Sequence, residues 1–322
     1  MPGTSIIVVS HNGLHETTAP CLRSIFGHTT GMEYEVVAVD NNSTDGTVAY
    51  LTDLMVAEPR LRCVFNSSNR GFAGGNNDGI RIATGDFLVL LNSDTMVTPG
   101  WLNGLLAPLS KDRTVGMTGP VSNSVGNEQR IFTSGTDAAA ILDEGLSWVR
   151  QVPGGSFETE MLGFFCVALR RDVVEKVGLL DEDFGTGFYE DDDYCIRVKN
   201  AGYKLLCVEN VFVYHRGGGT FGKLENLAGR LMKENKEKLK KKHHWNAKRI
   251  HPRYRQIKVI EDYMNKAGQA GLTPDLQFKI SNRMKLIESH APRGLFKRML
   301  FRRTLGKLKS RLESFRFPNT KK

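Results

Sequence analysis

Phe87-Leu-Val-Leu-Leu-Asn-Ser-Asp94 is five apolar residues in a row, closed by three polar ones. A run with no polar alternation predicts a strand over 87–91 that is covered on both faces, as the strands of parallel sheets are. Its polar tail falls where strand ends and helix N-termini converge, the edge at which open α/β sheets bind ligands. The same grammar recurs on either side. Residues 6–9 (Ile-Ile-Val-Val) run into a polar turn at Ser10-His-Asn-Gly13, and residues 34–39 stop at Asp40-Asn-Asn-Ser-Thr-Asp-Gly46. A third strand is expected over 61–65, with helices over 17–26 and from Gly74 to Ile82. Short β-branched runs alternating with longer mixed segments predict an α/β architecture of βαβ units. Further on, the pattern predicts a strand over 163–170, helices over 171–177 and 194–201, and a closing strand over 204–213, just ahead of His215.

The polar strand ends are the first candidates for chemistry. A carboxylate at Asp94, directly after a buried strand, suits a Mg²⁺ or Mn²⁺ ion, which nucleotide sites hold with one or two carboxylates plus substrate phosphates. The competing role for Asp94 is a cap on a helix over 95–101. Asp40 has the same setting and could accept hydrogen bonds from ribose hydroxyls or a base N–H, while Asp45 stabilises the turn that follows. Asn69-Arg-Gly-Phe-Ala-Gly-Gly-Asn-Asn-Asp-Gly79 is a glycine-rich loop entering a helix, where a backbone can approach a ligand closely. No Gly-Lys-Ser/Thr follows, so it is not a P-loop. Phe188-Tyr-Glu-Asp-Asp-Asp-Tyr194 gathers four acids at a helix mouth; capping uses fewer, and crowded carboxylates raise one another's pKa, which suits a general base. His215 is a candidate ligand for a metal or a pyrophosphate.

Charge divides the chain. Residues 216–322 carry 29 Lys and Arg against 8 Asp and Glu, leaving 15 against 27 in residues 1–215 of the chain's 44 and 35. The division predicts a body in 1–222 and a basic, mainly helical region in 223–322. Residues 294–317 place Leu295, Phe296, Met299, Leu300, Leu305, Leu308, Leu312 and Phe315 at helical spacing among Lys and Arg. That is a basic amphipathic helix, the kind that lies on anionic membranes or packs against protein. The start of the sequence lacks the basic n-region of a signal peptide, and no apolar run approaches ~20 residues. A cytoplasmic protein, peripheral on the inner face of the cell membrane, is the expectation. The five cysteines lack metal-ligand spacing, so reduced, buried thiols are expected.

Taken together, residues 5–13, Val36-Val-Ala-Val-Asp-Asn-Asn-Ser-Thr-Asp-Gly-Thr47, 69–77, 85–94, 163–171, 188–193 and His215 resemble the inverting family-2 glycosyltransferases, in particular their bacterial rhamnosyltransferase-like branch. The resemblance covers roughly residues 4–220. It implies the GT-A fold, a Rossmann-like mixed sheet flanked by helices. It implies that Asp40 recognises the nucleotide base, that Asp94 is the metal carboxylate of the D-x-D element, that Asp191 is the general base and that His215 closes the metal or diphosphate site. Ser10, Asn12, Asn42, Asn69, Gly71, Phe72, Asn76, Asn92 and Ser93 then fall on the nucleotide-sugar donor, and Gly163, Phe164, Phe165 and Glu190 on the acceptor or sugar pocket. One departure is Asn92 at the first D-x-D position, which leaves the metal to Asp94 and His215. The implied donor is dTDP-rhamnose or a UDP-sugar, and the implied acceptor a hydroxyl of a glycan or of a polyprenyl-diphosphate-linked glycan. Two other classes compete. A nucleotidyltransferase calls for a basic glycine-rich loop after the first strand, where this chain has Ser10-His-Asn-Gly-Leu-His15. A nucleic-acid-binding protein would use the basic tail but leave the acidic strand ends without purpose, so no nucleic acid is expected.

Overall fold

The computed structural model describes residues 3–217, 225–244, 252–292 and 294–316, with backbone alone at 225–228, 252, 295, 296 and 316. Its first half is the expected series with one unexpected helix, α2: β1 (Thr4–Ser10), α1 (Ala19–His28), β2 (Tyr34–Asp40), α2 (Thr47–Ala57), β3 (Leu61–Phe65), α3 (Gly71–Ile82) and β4 (Phe87–Asn92). These strands pair in parallel in the order β3-β2-β1-β4. The uninterrupted apolar runs are explained by what covers them. Ile6, Val8, Val36, Ala38, Val89 and Leu91 face one core, under α1, α2 and α4 (Trp101–Lys111). Ile7, Val37, Val39, Leu88 and Leu90 face a second core on the other side, so both strand faces must be apolar.

Beyond β4 the sheet becomes mixed. β8 (Cys166–Arg170) runs antiparallel to β4 and to β6 (Val115–Val121); β9 (Lys204–His215) is parallel to β6 and also pairs antiparallel with β5 (Thr95–Val97) and β7 (Ser156–Thr159). The strand expected over 163–170 is shorter, because Gly163–Phe165 form the turn into it. The helix expected over 95–101 is absent: β5 follows Asp94, and α4 begins only after Gly100, whose φ of 77° serves the turn. The capping role considered for Asp94 therefore falls. α6 (Arg171–Val177) and α7 (Glu190–Asn200) complete the second core. α7 starts four residues earlier than expected and takes all four acids into its first turn.

The cut expected near residue 222 lies in 218–224, outside the described residues. Past it, α8 (Glu225–Lys242), α9 (Pro252–Ala270), α10 (Pro274–Ser289) and α11 (Leu295–Arg316) are helical as expected. They are docked, however. α10 meets α5 (Ala138–Gln151) through Phe278 and Trp148, ring centroids 5.5 Å apart. Below that contact Glu209 of β9 is buried with Lys279 at 3.2 Å and Arg283 at 3.6 Å, and the Tyr263 hydroxyl donates to it. The stripe on α11 is largely covered too: Phe301, Leu305, Leu308 and Leu312 are buried with Ile260, Met264 and Ile280, whereas Met299 and Leu300 remain 47% and 46% exposed. Of the other apolar residues named for this helix, Phe315 packs at the edge of that cluster, and the side chains of Leu295 and Phe296, with Phe317, lie outside the described residues. No described helix is long and apolar enough to cross a membrane. All five cysteines are unpaired, four of them buried, and burial pushes the Cys21 thiol up to about 12.

Candidate functional site

Parallel register brings the first three polar strand ends side by side. Ser10 lies opposite Asp40, and Val9 opposite Asn92. Asp40 is buried; its Oδ2 accepts from the Ser43 amide at 2.9 Å, while its Oδ1, like the buried Ser10 hydroxyl beside it, has no partner among the described residues. Native proteins seldom leave buried polar atoms unmatched, and two together mark a place for ligand donors or water. The loops that carry them are tied to one another. Asn12 adopts φ 59°, gives its amide to Ser43 Oγ at 2.8 Å and accepts from the Thr44 amide at 2.8 Å. Asp45 accepts from the Leu14 and Thr47 amides, the turn role expected of it. Asn42, exposed at φ 64°, crowns the loop.

One turn after β4, past half-buried Ser93, Asp94 Oδ1 sits 3.4 Å from His215 Nε2, because β5 and β9 pair Thr95 with His215. The imidazole is pinned. Its Nδ1 lies 2.6 Å from the Ser124 carbonyl, which requires that nitrogen to carry the proton. Asn123 brackets its backbone with reciprocal bonds of 2.9 Å, and Phe165 stacks on the ring at 5.2 Å. With Nδ1 committed as a donor, Nε2 meets the carboxylate either as a lone pair or as a second N–H. Burial depresses the His215 pKa, but the hydrogen bond and charge of Asp94 outweigh it, and the net shift is upward. A cation between the two groups satisfies the same pair of acceptors, so this donor set fits a divalent ion. Among the described residues no third His, Cys, Asp or Glu joins them; the remaining positions on such an ion would fall to phosphate and water.

The third group is the head of α7. Tyr194 packs on Phe164, ring centroids 5.9 Å apart, and the Leu162 amide donates to Cys195 Sγ at 3.4 Å. The Asn92 amide donates to the Phe165 carbonyl at 2.9 Å, which joins this helix start to the end of β4. The four acids have separate fates. Asp193 is fully buried and pairs with Arg197, Lys242 and His243. Glu190 is buried beside Asp191 and Asp192, and burial, then those charges, push its carboxyl up to about 8. Asp192 is buried. Asp191 is half-buried and accepts from the Asp192 amide at 2.8 Å.

Several expected contacts are turned inward. Phe164 is 4% exposed, wedged between Phe72 and Tyr194, so its ring supports the site rather than lines it, while Phe72 is half-buried. The Asn76 side chain donates back to the Phe72 carbonyl of its own helix. Gly71, at φ 70°, exists for protein packing, since a Cβ there would lie 2.4 Å from the Gly185 carbonyl oxygen. Gly75 and Gly79 likewise admit β1 and Asn41, not a ligand. Exposed Asn69 caps the turn by accepting from the Gly71 amide at 2.8 Å, and the Gly163 amide donates to Gln129 at 2.7 Å. Sequence reading missed Asn41, whose buried amide donates to the Gly71 carbonyl at 2.9 Å, and Asn123 and Gln129; each holds a backbone group far away in sequence and so leaves no local signal.

The pattern that defines glycosyl transferase family 2 matches residues 5–178, more than half of the 322 residues. The chain belongs to glycosyl transferase family 2. Glycosyltransferase AglE of Haloferax volcanii is 26% identical over 216 residues, covering 67% of each protein. An uncharacterized protein, y4gI of Sinorhizobium fredii, is 24% identical over 238 residues, 69% of this chain, and the chain spans only 25% of that protein's length. Among solved structures, the mannosyltransferase PcManGT of Pyrobaculum calidifontis, in complex with GDP-Man and Mn²⁺, matches with a TM-score of 0.55 at 18% identity, over 99% of this chain and 88% of that one. At that identity the likeness establishes the GT-A fold for this family-2 chain, and the fold alone.

Proposed function

We propose that this chain transfers a sugar from a nucleoside-diphosphate donor to an acceptor hydroxyl, with inversion at the anomeric carbon. The observation that carries the reading is the Asp94–His215 pair one turn from the strand ends where Asp40 Oδ1 and Ser10 Oγ stand unmatched. Asp40 and Ser10 would take the base or ribose of the donor, with Asn12, Asn42 and Ser93 on the loops around it. Asp94 and His215 would hold Mg²⁺ or Mn²⁺, which when bound neutralises charge on the departing diphosphate. Asp191, half-buried at the mouth of α7, would take the proton of the incoming hydroxyl on the face opposite the leaving group. Glu190, held protonated up to about pH 8, keeps a hydrogen-bond donor in the sugar pocket rather than a second base.

The motif resemblance makes dTDP-rhamnose the first donor to test and a UDP-hexose the second, with a glycan or a polyprenyl-diphosphate-linked glycan as acceptor. A lipid-linked acceptor fits a chain resting on the cytoplasmic face of a membrane. The exposed Arg298, Arg302, Arg303 and Lys307 beside exposed Met299 and Leu300 support that location. The donor is tested by thermal unfolding against dTDP-, UDP- and GDP-sugars with Mn²⁺ or Mg²⁺. A ligand of the native state raises the midpoint, and a flat response across the whole panel would sink the transfer reading. The membrane is tested by sedimentation with anionic vesicles, where the triple variant R302E/R303E/K307E should stay in the supernatant.

A further inference from the structure

The backbone ahead of the proposed base is costly. Gly185 and Gly187 have φ of 71° and 152°, and Phe188 and Tyr189 both stand at φ 74°. Two consecutive bulky residues in the left-handed region persist only where surrounding contacts over-determine them. One side of this turn is closed by Gly71, whose missing Cβ admits the Gly185 carbonyl and Thr186. The other side is closed by α8, a helix outside the family match. Asn235, 2% exposed, donates its amide group to the carbonyls of Phe184 at 2.7 Å, Gly187 at 2.9 Å and Phe188 at 3.0 Å. Leu239, one turn further, is fully buried with Phe184 and Tyr189. Lys238 donates to the Asp183 carbonyl, and Lys242 and His243 reach Asp193 at 2.8 and 2.7 Å. Positions 235, 238, 239, 242 and 243 form one helical face, and that face grips residues 181–193 along their length.

We propose that Asn235 is a positioning residue: its amide gathers three carbonyls of the turn 184–188 and so sets the angle at which Glu190 and Asp191 leave it. The inference rests on Asp191 as the base. An amide NH₂ has two protons, and three carbonyls converging on it would otherwise repel one another in a buried space. No aspartate, leucine or alanine can supply those donors. Loss of Asn235 relaxes the turn and misplaces Asp191 while the donor rim at β1, β2 and β4 stays intact.

The test compares the full chain with Asn235→Ala, Asp191→Asn and the double variant. Turnover is read as nucleoside diphosphate released from a panel of dTDP-, UDP- and GDP-sugars with Mn²⁺, and hydrogen exchange is followed on the peptide 184–193. Asn235→Ala should lower kcat about 100-fold, the scale of a small misplacement of a reacting group, with donor KM within about threefold. The double variant should be no slower than Asp191→Asn, because two residues acting through one proton transfer do not add. Exchange should quicken in 184–193 and stay unchanged in the peptides that contain Asp40 and Asp94. If Asn235→Ala does not fold, Asn235→Ser, which keeps one donor, takes its place. Unchanged exchange at 184–193, or a double variant much slower than Asp191→Asn, overturns the proposal. Normal turnover by Asp191→Asn sinks the base assignment separately, and the exchange result then still decides whether Asn235 holds the turn.

Discussion

The rim that carries Ser10, Asp40, Asn92 and Asp94 and the turn that carries Glu190 and Asp191 are ordered in different ways. The rim residues sit at or just past the ends of three buried strands, β1, β2 and β4, and register between neighbouring strands fixes the heights of Ser10, Asp40 and Asn92. The positions of Ser10 and Asp40 come from strands within the first hundred residues, while Asn92 and Asp94 are also tied to Phe165 and to β9. The turn at 184–189 has no strand beneath it. It takes left-handed backbone at two aromatic residues and relies on Gly71 from one direction and α8 from the other. On the proposed reading, donor recognition would belong to the sheet, and aim of the base to long-range contacts that include α8. The basic tail thus holds the turn 184–188 through α8, and is a candidate membrane surface as well.

Breaking the two regions separately should give different losses. The largest belongs to the turn: Asp191→Asn should cut kcat ~10²–10⁴-fold, the usual worth of a general base, while leaving the thermal shift given by a nucleotide sugar intact. The buried tie between tail and sheet comes next. Arg283→Ala removes one of the two cations that face buried Glu209, leaving it Lys279 and the Tyr263 hydroxyl, and a loss of ~3–5 kcal/mol is expected in urea unfolding, as for other broken buried pairs. At the rim, Asp94→Ala should weaken Mn²⁺-dependent nucleotide-sugar binding and move the His215 pKa, read by NMR, downward, since Asp94 is the larger of the influences that raise it. Equal Mn²⁺ dependence in wild type and Asp94→Ala would remove this residue from the metal site.

A pH dependence of stability is also expected from the turn. Glu190 titrates near 4.5 when unfolded and about 8 in the fold. Between those values the native chain holds a proton that the unfolded chain has released. The stability due to that proton is complete below about 4.5 and is lost as pH rises through about 8. Urea midpoints should therefore fall across this window, and Glu190→Gln, which cannot ionise, should flatten the slope. A wild-type slope retained in Glu190→Gln would place the titration elsewhere.

Much of this was legible residue by residue. β1, β2 and β4 were readable because burial on both faces demands unbroken apolar runs, and their polar ends were readable because nothing apolar follows them. β5 is three residues and β7 four, too short for a pattern. β6 hides behind Gly116, Gly119 and Pro120, residues that weaken strands; Gly116 and Gly119 are there because Tyr203 and Gln129 press on the backbone. The stripe on α11 was readable as amphipathic, but an apolar face does not say whether protein or lipid will cover it, and most of it is covered by α9 and α10.

Local sequence determined the strands of the parallel half, the candidate carboxylates at their ends and the family to which they point, since each depends on spacing within one segment. Tertiary structure alone decided the rest: that His215 faces Asp94, that Asp193 is a structural acid while Asp191 is half-buried, that Phe164 lies inside, and that Asn235 holds the turn. Those outcomes depend on residues dozens of positions apart competing for the same buried volume and the same hydrogen-bond donors. Side-chain periodicity carries no record of that competition.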